Sequence, residues 1–143
     1  MKAGEPAPIT GVAQVGMSGL SKVQYWLCPR EESHAKDDPY FTKADWKGAT
    51  ILPPPQQWGG GLSEGKLPPV PRQIDPATGK PLQWPMRNTI VHWATLLKIE
   101  RPGEYDLRCR TIDANGVAQP MPRPFPKSGN NAIQAVKISV ATP

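Results

Sequence analysis

The chain is poor in the residues that carry out chemistry. Its 143 residues include two cysteines and two histidines, and no run of five Lys or Arg. The 17 basic and 12 acidic residues are scattered and leave a net charge of +5, without the clustered footprint of a nucleic-acid binder. No apolar run approaches the roughly 18 residues a membrane-spanning helix needs, so no membrane partner is expected. No apolar segment follows Met1-Lys2, so no signal peptide is read there. A periplasmic location would need an export signal elsewhere in a parent protein.

The few reactive side chains are badly placed for catalysis. His34 stands alone among Glu31, Glu32, Asp37 and Asp38, and one imidazole among solvated carboxylates is not a converging metal set. His92 falls mid-strand and reads as a half-buried, satisfied histidine. No serine sits in a nucleophile-elbow sequence. Cys109 alternates with Tyr105 and Leu107 on an inward face and reads as core, where a thiol is inert. Val23, Tyr25 and Leu27 turn Cys28 outward or into the next loop, so a disulfide bridging two sheets is not expected. No catalytic residue, metal ligand or cofactor-binding residue is assigned to this chain.

What the chain has in plenty is proline, 19 of them, with 13 glycines and five tryptophans at 38% hydrophobic content. That balance disfavours helix and favours an all-β domain with long loops. One domain spans 1–143, large enough to bury a core. Residues 1–8 read as a tail or extended lead-in. Strand candidates follow at Gly11 to Met17, Lys22 to Leu27, Trp46 to Leu52, Thr89 to Leu97, Tyr105 to Arg110 and Ala132 to Val140. Val15 and Met17 are possible inward positions, and both faces of the 89–97 strand are apolar enough to be covered. Pro102-Gly103 and Asp113 to Gly116 are turn signals, with Asn115-Gly116 able to take positive φ at little cost. Six or seven short strands without a helix or repeat point to a β-sandwich.

Two proline-broken segments interrupt this pattern. Residues 29–44 are charged and read as an exposed loop. Residues 53–87 form a proline-rich arm, and disordered segments are poor in aromatics, so Trp58 and Trp84 favour an arm packed on something. Arg108 and Arg110 project from the face of their strand opposite Cys109. They read as an anion clamp, an interface pair, or a cross-strand pairing on a solvated face, with Asp106 able to compensate only one. Interfaces favour Trp and Arg anchors, so Arg108, Arg110, Trp58, Trp84 and Arg87 are the interface candidates.

Several fragments also line up in a familiar order: GVAQVGM, KVQYWL, DWKGATIL, HWATLL, PGEYDLRCRTIDANGVAQP and GNNAIQAVKISV. Together they resemble the C-terminal dimerisation domain of the sulfite oxidase family of molybdenum enzymes, over half to two-thirds of the chain. Arg110, Asp113, Gly116 and Gln119-Pro120 match that family's R-A-x-D-x-x-G-x-x-Q-P. Trp46 with Ala49 matches its T-W-x-x-A, and Asn131-Ala132 the start of its last strand. Residues 29–44 and 53–87 are insertions relative to it.

The resemblance implies an immunoglobulin-like sandwich that forms a homodimer and packs on a separate molybdopterin-binding catalytic domain. The molybdenum-ligating cysteine belongs to that other domain. One departure matters: family members that oxidise sulfite carry N-A-W-H-R in the last strand. Here the tryptophan position is Ile133 and the arginine position Ala135, which counts against sulfite as the parent's substrate. A free-standing immunoglobulin-like module binding a protein or glycan through an exposed Trp26 is the alternative.

Overall fold

The computed structural model describes residues 1–32, 38, 40–56, 72–119 and 133–143. These form seven strands: β1 (Pro6–Gln14), β2 (Leu20–Pro29), β3 (Lys47–Ile51), β4 (Ile90–Lys98), β5 (Gly103–Asp113), β6 (Ala118–Gln119) and β7 (Ala135–Val140). No helix occurs among the described residues. The sheet runs β1-β4-β3-β2-β5, and β6 and β7 share the far edge of β5. All strand pairs are antiparallel.

β3 makes the sheet curl. Its first three residues, Lys47 to Ala49, pair with Tyr25 to Val23 of β2, while Thr50 and Ile51 pair with Ala94 and Trp93 of β4. One short strand thus passes from one half of the sheet to the other. The concave faces then share a core. Ala13, Val15, Leu20, Val23, Val91 and Trp93 form one cluster; Leu97, Ile99, Leu107, Ile138 and Val140 belong to another. Val23 and Val91 are each 1% exposed, and fully burying such a side chain contributes roughly 1.5–3 kcal/mol. The period-2 pattern is the cause: odd positions of β2, β4 and β5 face inward.

Gly11 sits opposite Trp93 in the β1–β4 ladder. A Cβ there would lie 2.5 Å from Trp93 Cζ2, so only glycine lets the indole lie across β1.

Several expectations change. Residues 1–8 are not a tail: Lys2 bridges Ala141, Ala3 N donates to Ala141 O at 2.9 Å, and β1 begins at Pro6. Val15 is buried as expected, but Met17 is 71% exposed because β1 ends at Gln14. β4 is covered on one face only. Ile90, His92 and Leu96 on its other face are exposed, so His92 is not half-buried. Of the turn residues, Gly103 and Gly116 take positive φ, at 147° and 83°, and Asn115 does not.

The parts of the proline-rich arm that are described lie close to the sheet. Asp75 organises a turn, accepting from Ala77 N and Thr78 Oγ1, and Ile74 bridges Pro81. Trp84 packs against the Ala13–Trp93 cluster with Ala49 and Ile51, and its Nε1 donates to Leu52 O at 2.9 Å. It covers the sheet where β3 leaves β2. Trp58 lies outside the described residues.

Candidate functional site

The convex face of β2 and β5 gathers Trp26, Phe41 and Trp46 with Arg108 and Arg110. In register, Gln24 faces Arg110, Trp26 faces Arg108 and Cys28 faces Asp106. These even-numbered positions are the ones left outward when odd positions enter the core. The loop that follows β2 then folds back across them.

Asp38 shapes that loop. Its carboxylate accepts from Thr42 N at 2.9 Å, Thr42 Oγ1 at 3.0 Å and Lys43 N at 3.2 Å. The bond from the Thr42 backbone N–H, with those from Lys43 and the Thr42 hydroxyl, holds the Asp38 carboxyl below its ordinary value. Phe41 takes a left-handed φ of 50°, uncommon for a bulky residue. Its carbonyl accepts from Trp46 Nε1 at 2.7 Å.

The result is a continuous stack of rings and guanidinium groups. Arg108 Cζ lies 4.5 Å from the Phe41 centroid. Phe41 lies 5.2 Å from Trp26, which lies 6.0 Å from Trp46. Trp46 in turn has Arg110 Cζ over it at 4.2 Å. Each cation–π contact is worth about 0.5–2 kcal/mol, more when desolvated.

The arginine edges are bound differently. Arg108 Nη2 donates to Asp106 Oδ2 at 3.2 Å, and Arg30 Nε donates to Asp106 Oδ1 at 3.4 Å. Arg30 also lies 3.7 Å from Glu104. Arg110 Nε donates to Gln24 Oε1 at 2.8 Å. Burial lowers the Arg110 pKa, the signature of a cation removed from water. Arg108 Nε is buried with no hydrogen-bond partner among the described residues.

Arg108 and Arg110 are therefore not on a solvated face, and a ring covers each. Asp106 compensates Arg108 and Arg30, and a neutral amide serves Arg110. Trp26 is half-buried in the stack. The loop expected to be exposed at 29–44 carries, in its described part, the covering Phe41. Trp84 stands on the concave side of the sheet, away from both arginines. Arg87 is exposed beside Met17, Gln73, Leu82 and Asn88. The structure thus brings together Arg108 and Arg110, and separates them from Trp84 and Arg87.

Neither cysteine is in a disulfide. Cys28 is 1% exposed, so its outward parity does not bring it into water. Burial pushes its thiol up, opposed by the positive charge of Arg108. Burial pushes Cys109 to about 11. Both are thus poor thiolates at neutral pH. No group of three or more metal-ligating side chains converges among the described residues, and His34 lies outside them.

Phe41 was missed in the sequence, and Trp26 and Trp46 were not joined to the arginines, because their meeting depends on strand register and on a loop turning back. The available signal was the shared parity of Gln24, Trp26 and Cys28 with the even positions of β5.

No protein-family model matches the chain, and no curated protein matches it.

Proposed function

We propose that this chain is a non-catalytic structural and dimerisation domain, with an immunoglobulin-like β-sandwich fold. Its parent would be a molybdopterin-dependent oxidoreductase of the sulfite oxidase family, and its partners a second copy and the catalytic domain. One observation carries the reading. Arg110 and Trp46, which come from the two separate motifs of the resemblance, stack on each other at 4.2 Å. Asp113 and Gly116 of the first motif also have turn roles: Asp113 Oδ1 accepts from Asn115 N and Val117 N, and Gly116 has positive φ. Motifs that serve one constellation are better support than motifs scattered over a surface. Seven antiparallel strands with β3 passing between two halves suit a sandwich whose strand switches sheets.

The stacked arginines and tryptophans supply the residue types that interfaces enrich. Ala135 starts β7 as an exposed residue and Ile133 is buried; neither can donate to an oxyanion, which disfavours sulfite as the parent's substrate. Sedimentation velocity at high micromolar concentration is expected to show a dimer, and a monomer throughout would remove self-association from this reading. Molybdopterin added to the chain is expected not to bind, and stoichiometric uptake would contradict the non-catalytic assignment.

A further inference from the structure

The passage of β3 from β4 to β2 leaves a gap. Among the described residues, β4 beyond Ala94 pairs with β1 alone, from Thr95 to Lys98. Among the described residues, β2 beyond Tyr25 pairs with β5 alone, as far as Pro29. Between these stretches lies a cavity of about 520 Å³, within the range of about 300–1,000 Å³ for ligand pockets.

The backbone lining this gap is set by parity. Leu52 N donates to His92 O, so even residues of β4 direct their N–H and C=O toward β3, because successive residues of a strand point to opposite edges. Leu96 and Lys98 therefore aim theirs into the gap. On β2, Arg30 N donates to Glu104 O, so the odd residue Leu27 aims its N–H and C=O into the gap from the other side. No described residue bonds to these groups.

Two of the other edges are blocked over part of their length. Pro6 and Pro8 hold the even, outward-edge positions of β1, where proline offers no donor. At β7, Met1 N donates to Ser139 O, Ala141 N to Met1 O and Ala3 N to Ala141 O, so the N-terminus occupies that edge from Ser139 to Ala141. Trp84 covers the opposite end of β3.

We propose that the gap between β2 and β4 accepts an extended peptide as an added strand, hydrogen-bonded to Leu96 and Lys98. This is β-strand addition, in which main-chain bonds give affinity and alternate side chains give specificity. The peptide places alternate apolar side chains against Tyr25, Leu27 and Leu97, which line the inner wall. Its other side chains face out beside Leu96 and Lys98 and are polar. The site is separate from the Arg110–Trp46 stack and does not depend on the molybdopterin reading.

The test uses the full chain and a labelled synthetic peptide alternating Val and Thr. Saturable binding is expected, with slowed hydrogen exchange at the Leu96 and Lys98 amides. The same peptide with N-methylated interior amides is expected to lose binding. Leu96→Pro removes the N–H aimed into the gap without touching the β1 ladder, and is expected to weaken binding about tenfold, the worth of roughly one backbone hydrogen bond. Equal binding by the N-methylated peptide, or binding without protection at these amides, overturns the proposal. Protection that rises with protein concentration in the absence of peptide also overturns it, because a second copy is then the occupant. If Leu96→Pro fails to fold, the N-methylated peptide still decides.

Discussion

Arg110 shows how a single side chain can be read correctly for its face and wrongly for its surroundings. Alternation with Leu107 and Cys109 places it on the convex face, and the structure agrees. What alternation does not carry is the cover: Trp46 arrives from a loop whose path is set by Asp38 and by the φ of Phe41. The pairing has a measurable worth. A double-mutant cycle of Arg110→Ala and Trp46→Ala, followed by urea unfolding, is expected to give a coupling of about 0.5–2 kcal/mol. A coupling indistinguishable from zero would mean that the stack is geometric only. Asp113 carries a prediction of a different kind. The Val117 N–H bond, with help from Ser18 and Asn115, lowers its carboxyl pKa below the ordinary carboxylate value. A carboxyl lowered by folding stabilises the protein above its unfolded pKa, and that contribution disappears as pH falls through the folded value. Unfolding measured from neutral to acid pH should therefore lose stability in the acid range, and Asp113→Asn should flatten that part of the profile. An unchanged profile would place the acid sensitivity elsewhere.

At the scale of elements, the strands were largely legible and their limits were not. β2, β4 and β5 announce themselves by strict alternation, and their inward residues were read correctly at Val23, Tyr25, Leu107, Val91 and Trp93. β1 was read too late in the chain because Pro6 and Pro8 look like breakers. On an edge strand, with their ring nitrogens toward the open side, they are compatible with the ladder. The outer face of β4 was read as covered because Ile90 and Leu96 are apolar, and apolarity alone does not say what lies against a face. Gly11 was silent in the sequence, since only the pairing with Trp93 explains it. Gly11→Ala is expected to destabilise the protein by about 1–3 kcal/mol through overpacking against the indole, measured by urea denaturation. A stability gain instead would mean that Trp93 can move aside.

For the molecule as a whole, composition gave the class and register gave the site. Proline, glycine and tryptophan content announced an all-β chain. The candidate site depended on which residue of β2 stands opposite which residue of β5, and a sequence read strand by strand does not contain that information.

β3 has one further consequence, for how the protein comes apart and reassembles. Its five residues are stitched to both halves of the sheet, so neither half has a closed set of neighbours without it. The β1–β4 pairing joins Pro6 to Lys98 and the β5–β7 pairing joins Gly103 to Val140, so the ladders close across long stretches of chain. Such distant pairing makes folding slow for a chain of this size. Loss of β3 would release two unpaired edges at once, so the strand that creates the gap also binds the two halves into one unfolding unit.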